Sequence, residues 1–181
     1  MSSDLFVPVR APLPLGTVAS GARDALAHLA DIGEPPRVVI YEYHAQCSLP
    51  VSPDDVIEIG KLYLVGTDET EWGLELMLHD LSEIRRHFGM AGGLEATMVV
   101  RGANQPGFLL AAAVAVTVAE AEGSVILDYA QRWFKAGGDL FELPPAEFLR
   151  WLRVPGSFRD LYAAAEAFYA RLPASLPPPG P

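Results

Sequence analysis

The apolar positions of this chain change period several times, and each change marks an element. Val18, Ala22, Ala25, Leu29 and Ile32 recur at steps of four, three, four and three, which sets them along one face of a helix. Gly33 follows as its stop, and Pro35 and Pro36 prevent continuation. Arg37–Cys47 then reads as a strand rich in β-branched residues and tyrosine. Val39, Tyr41, Tyr43, Ala45 and Cys47 fall on one face, and Val38, Ile40, Glu42, His44 and Gln46 on the other. Val56–Val65 is strand-like, with Gly60 at a bulge position. GTDET, residues 66–70, supplies a turn, after which Trp72, Leu74, Leu76 and Leu78 alternate with Gly73, Glu75 and Met77. A hairpin of strands 56–65 and 72–78 is expected. Asp80-Leu-Ser-Glu83 then resembles a capping box and opens a short helix over 81–88.

The clearest unit is Thr97–Tyr129. Leu94–Arg101 is a strand, GANQPG a tight loop with Pro106 near the first helical turn, and the helix runs to about Glu122. Gly123 stops it and Val125–Tyr129 is the next strand. Residues 108–121 are apolar nearly all round, so this helix is expected to be covered on more than one side. Pro145 starts a helix carrying Phe148, Leu149, Trp151 and Leu152. Ser157 is placed to cap a last helix with Leu161, Ala165, Phe168 and Leu172. Leu5–Val9, interrupted by Pro8, adds a short strand at the start. The order is β-α-β-β-β-α-β-α-β-α-α. It predicts an α/β (α+β) fold: one domain over 1–172, a mixed, largely antiparallel sheet packed by helices as a sandwich. The proline-rich segment 173–181 reads as an extended tail without a core role.

Composition narrows the class. Half of the residues are hydrophobic and 20% are charged, the profile of a folded domain. Cys47 stands alone, so no internal disulfide forms and a reducing compartment is expected. The start lacks a basic segment followed by a long apolar run, and the longest apolar run, 108–119, is too short to span a bilayer. A cytoplasmic location is expected. The net charge of −10, from 23 acids and 13 bases, argues against nucleic acid or an anionic membrane as partner and permits a basic protein.

Few arrangements point to chemistry. His79, Glu83 and His87 recur at i, i+4, i+8, a spacing that can ligate zinc. Arg85 and Arg86 beside them mark a solvated helix face, so no metal is expected. His44 and Cys47 form an HxxC pair whose separation on one strand puts them on opposite faces, with Cys47 as a buried thiol. GANQPG joins a strand to a helix N-terminus, where anions can bind, but it lacks the Lys-Ser/Thr of a phosphate loop. The acids at Asp54, Asp55, Asp68, Glu69, Glu71 and Glu75 cluster around the hairpin. In turns such acids are ordinarily solvated. With Trp72 beside them as an anchor, Asp68, Glu69, Glu71, Trp72 and Glu75 form a candidate protein-binding surface. Trp72 on the apolar face of its strand serves equally as a core residue. No cofactor is expected.

AVAVTVAEAEGSVILDYAQRWF, Ala113–Phe134, resembles a segment of small single-domain immunity proteins of bacterial polymorphic-toxin systems. An alanine-rich helix, a glycine, a short strand, Asp128 and Trp133 carry the likeness; a second glycine and a proline of that pattern are absent. The resemblance implies a cytoplasmic, non-catalytic inhibitor that blocks a cognate toxin, and the chain's acidity suits a basic toxin domain. An acidic secretion or assembly chaperone, working as a homodimer, and a small metal-dependent enzyme are the alternatives.

Overall fold

The computed structural model describes residues 2–44, 47–68, 70–83, 93–135 and 142–175. Strand β1, Ser2–Val9, leads into helix α1, Leu15–Leu29, then β2, Ala30–Ile32, and β3, Val38–His44. Strands β4, Cys47–Pro50, β5, Leu62–Thr67, β6, Thr70–Asp80, and β7, Leu94–Arg101, follow. Helix α2, Gln105–Glu122, leads to β8, Ile126–Leu127, β9, Phe134–Lys135, and β10, Glu142–Leu143. The chain closes with α3, Pro145–Leu152, β11, Val154–Phe158, α4, Leu161–Tyr169, and β12, Ala174–Ser175.

Eight strands form one sheet in the order β10-β8-β1-β7-β6-β5-β3-β4. Every pair in it is antiparallel. Two small parallel pairs, β11 with β2 and β12 with β9, stand apart from it. The expected mixed α/β fold with a largely antiparallel sheet is therefore present, and its parallel pairs lie outside the main sheet. The unit β7–α2–β8 returns on the far side of β1, which lies between the two strands it joins.

The helices cover one face of this sheet. Leu5, Val7, Ile40, Tyr63, Val65, Leu74, Leu76, Leu78, Ala96 and Met98 share the core with α1, α2, α3 and α4. Alternation along each strand, matched across the register, puts all of these side chains on the same side. Helix α2 is the spine: residues 107–119 are buried without a break, as its uninterrupted apolar sequence predicts. Gly123, in the left-handed conformation at φ 59°, ends it by donating to the carbonyls of Ala119 and Glu120.

Several boundaries differ from the sequence reading. Helix α1 buries Val18, Ala22, Ala25 and Leu29 as expected. It ends at Leu29, because Ala30–Ile32 leaves the helix to pair with β11. There the Ser157 hydroxyl donates to Asp31 Oδ2 at 2.5 Å. Ser157 therefore belongs to β11, and Asp160 caps the last helix by accepting from the Ala163 N–H at 3.0 Å. Strand β5 starts at Leu62 rather than 56. Residues before it cross to other partners: Val56 bridges Pro14, Ile59 bridges Leu78, and Gly60, at φ 79°, turns the chain into the strand. Strands β3 and β4 form a hairpin in which His44 lies directly opposite Cys47, and Cys47 is exposed. The chain turns between the two residues, so they are cross-strand neighbours and not opposite-face residues of one strand. The helix expected over 81–88 is helical at Ser82 and Glu83, and its remainder lies outside the described residues. Ala174 and Ser175, at the start of the proline-rich segment, pair with Phe134 and Lys135.

The Asp160 cap carries a pH prediction. Its pKa is held below the ordinary carboxylate range by the Ala163 N–H first and by Arg159 second. A depressed folded-state pKa contributes stability above the unfolded value, and that contribution is lost as pH falls through the folded one. Asp160→Ala is expected to lower the unfolding temperature at neutral pH. The gap to the wild type should begin to narrow at about pH 4, the ordinary aspartate value, and close only below the depressed folded-state value. Thermal melts across a pH series check this.

Candidate functional site

The second face of the sheet is the side on which none of the described helices packs. Three cross-strand rows can be read from the register. Tyr41 pairs with Leu64, Leu64 with Glu75, Glu75 with Val99, and Val99 with Asp4. The next row runs Leu62, Met77, Thr97, Phe6, Leu127. The third places His79 opposite Glu95 and Glu95 opposite Pro8. The middle row is apolar apart from one threonine. Leu62, Met77 and Phe6 in it are only partly buried, as are Val39, Tyr41 and Leu64 beside it. Tyr43, at the β3–β4 edge, is 47% exposed. A half-covered apolar surface of this kind is unusual on a monomer and suits protein contact.

Polar groups border the middle row. On the first row, Glu75 takes the Arg101 guanidinium in a fork, 2.5 Å from Nε and 2.8 Å from Nη2. Glu75 and, more weakly, Asp4 hold the arginine firmly charged. One arginine therefore lies beside two carboxylates. On the third row the Tyr129 hydroxyl donates to the buried Glu95 at 3.4 Å, and the Tyr129 ring lies 4.9 Å from that of Phe6. At the β3–β5 end, Lys61 bridges Glu42 at 3.0 Å and Glu58 at 2.7 Å, which holds its ammonium charged.

Of the five residues singled out from sequence, the structure describes the side chains of Asp68 and Glu75. Asp68 closes the start of β3 against the end of β5. Its carboxylate accepts from the Arg37 N–H at 3.0 Å, and its own N–H donates to the Arg37 carbonyl at 3.1 Å. Glu75 lies on the face itself, paired with Arg101. Glu71 and Trp72 are part of β6, with only their backbone described, and Glu69 lies outside the described residues. The structure thus brings Glu75 together with Asp4 and Arg101, two residues that sequence spacing did not connect. It also reveals the apolar rows, whose signal in the sequence was only alternation within each strand.

The other motifs have structural explanations. The N-terminus of α2 is filled by its own loop. Asn104 Oδ1 accepts from the Gly107 N–H at 3.1 Å, and its amide donates to the Gly73 carbonyl at 3.3 Å. That carbonyl sits against Gly107, so protein acceptors occupy the place an anion would take. His79 belongs to β6, and His87 lies outside the described residues. Among the described residues, no three His, Cys, Asp or Glu side chains are grouped as metal ligands. No described helix is long and apolar enough to cross a membrane. Asp128 and Trp133 are both fully buried in the loop after β8, where the carboxylate binds backbone N–H groups.

No protein-family model matches the chain, and neither does any curated protein or any solved structure.

Proposed function

We propose that this chain is a non-catalytic protein-binding module that neutralises a cognate bacterial toxin, docking a basic domain on the face of its sheet opposite the described helices. One observation carries the binding role: a cross-strand row with Leu62 and Met77 on one side of Thr97 and Phe6 and Leu127 on the other, bordered by the acids Glu75 and Asp4. Apolar anchors supply binding energy, and a charged border steers a partner of opposite sign. The chain's net charge of −10 works in the same direction over longer range. The assignment to the toxin-neutralising class rests on the resemblance at Ala113–Phe134. Asp68, Glu69, Glu71 and Trp72 are assigned to the partner-binding surface on the strength of the sequence.

Co-purification with the product of the adjacent gene tests the proposal. A 1:1 complex is expected. Its affinity should fall as salt is raised from about 50 to 500 mM, because screening removes the charge contribution. Leu62→Lys and Met77→Lys place a cation among the anchors and are expected to weaken binding at least about 30-fold, the effect of losing a hot spot. Both side chains are partly exposed, so the unfolding temperature should change little. Absence of a partner, or full affinity in both variants, sinks the reading. Capture of many unfolded clients by the same face would favour the assembly chaperone instead.

A further inference from the structure

The helical layer on the opposite side of the molecule contains a cleft of about 830 Å³ between α1 and α3 and over the last turns of α2. Val116, Thr117 and Leu149 contribute an apolar floor and wall. The charged residues are sorted by element. Asp24 and His28, one turn apart on α1, and Glu120 on α2 supply one side, while Arg150 and Arg153 come from α3 and the residue that follows it. Both signs are therefore present in one concavity. Among the described residues, none of Asp24, Glu120, Arg150 or Arg153 has an oppositely charged partner within 4.0 Å. Arg150 is nevertheless positioned. The Arg150 guanidinium lies 5.0 Å over the Trp151 ring, and the Arg153 carbonyl accepts from the Arg171 guanidinium.

This charge pattern selects its ligand. A phosphate or other multiply charged anion would be drawn to the arginines and repelled by Asp24 and Glu120. A metal ion would meet the reverse. A molecule with one carboxylate and one cationic group satisfies both sides. A guanidinium fork suits carboxylate geometry, and both Arg150 and Arg153 line the cleft; its volume lies in the size range of sites that enclose small ligands. The apolar floor and the volume suit a chain of several residues rather than a single amino acid. We propose that this cleft binds a short peptide, its carboxylate on Arg150 and Arg153 and its cation on Asp24 and Glu120. The site is separate from the sheet face and independent of the toxin-neutralising role. The two charges can come from the termini of a free peptide or from side chains within a longer segment.

Titrations monitored by calorimetry and by amide chemical shifts separate the sources. The probes are tetra-alanine with free termini, acetylated and amidated tetra-alanine, and an acetylated and amidated tetrapeptide with lysine first and aspartate last. Binding of the free tetra-alanine alone identifies the termini. Binding of the Lys/Asp peptide, with or without the free one, identifies a segment's side chains. In either case shifts are expected at Ala121 and Ala146 on the cleft wall, and none with the blocked neutral peptide. The double variant Arg150→Gln, Arg153→Gln should weaken binding at least about tenfold, with a melting temperature matching the wild type confirming its fold. Should that variant unfold, Asp24→Asn, on exposed α1, replaces it with the same expected loss. The proposal is overturned if neither charged peptide binds at concentrations on the order of 1 mM. It is likewise overturned if the neutral peptide binds equally, or if the variants bind as well as the wild type.

Discussion

Gly107→Ala is expected to destabilise the fold by about 3 kcal/mol or more, the range of severe overpacking. A Cβ at Gly107 would lie 2.0 Å from the Gly73 carbonyl oxygen and 2.9 Å from its carbon. Both obstacles are backbone atoms of β6, a central strand of the sheet, and the same carbonyl receives the Asn104 amide. Relief requires the first turn of α2 to lift off the sheet, taking Phe108, Leu109 and Leu110 with it. Helix propensity alone predicts the opposite sign, since alanine is favoured over glycine by roughly 1 kcal/mol. The direction of the change therefore separates the two effects. For a chain of this size the unfolding temperature should fall by about 6–12 °C. Gly73→Ala is the internal comparison. There the closest obstacle is Leu110 Cδ1 at 2.5 Å, a side-chain tip that can rotate, and the loss should be clearly smaller. Chemical and thermal denaturation of the two variants provide the measurement, and an unchanged or raised stability for Gly107→Ala refutes the close approach.

That contact shows where sequence reading succeeds and stops. The Thr97–Tyr129 pattern marked the strand, the loop, the helix and its glycine stop, because each rests on local chemistry: alternation, a proline in the first turn, and a left-handed C-terminal residue. The apolar girth of α2 correctly indicated burial on several sides. Nothing in GANQPG, however, reveals that Gly107 will meet Gly73, 34 positions earlier in the chain. Long-range pairing also explains the shifted boundaries. Ala30–Ile32 continues the apolar period of α1 through Ile32, yet it pairs with β11, and tertiary pairing overrides local periodicity. Ser157 looked like a cap because serine precedes the helical stripe; the strand pairing of β11 claims it and leaves the cap to Asp160. The candidate site was legible only in part. Glu75 was singled out as one acid of a cluster, whereas its meaning depends on Arg101 and Asp4, which reach it across two strand registers. The face opposite the helices could not be read at all, since alternation shows that a strand has two faces but not which of them receives the helices.

Asp128→Asn is the second substitution with a large expected effect, and it bears on the resemblance at Ala113–Phe134. The Asp128 side chain is fully buried. Its Oδ1 accepts from the Arg132 N–H at 3.1 Å, and its Oδ2 accepts from the N–H groups of Trp133 at 2.7 Å and Phe134 at 3.2 Å. Its backbone carbonyl takes the Gln131 N–H at 3.1 Å, and Gln131 is held at φ 49°. One carboxylate thus organises the whole turn that delivers Trp133 and Phe134 to the core, where they meet Phe108 and Phe148. Asparagine has the same shape but one acceptor oxygen. With that oxygen toward Trp133 and Phe134, its NH2 opposes the Arg132 N–H. In the other orientation two buried donors lose their partner. Either arrangement costs about 2–4 kcal/mol, the desolvation of unsatisfied buried groups. The unfolding temperature should drop by roughly 5–12 °C, with weakened near-ultraviolet dichroism as Trp133 loosens. Affinity for the partner, measured well below that temperature, should remain within about threefold, because the hydrogen bonds of the Asp128 side chain go to its own loop. Unchanged stability with abolished binding would instead make Asp128 a contact residue and move the partner surface from the sheet face to this loop.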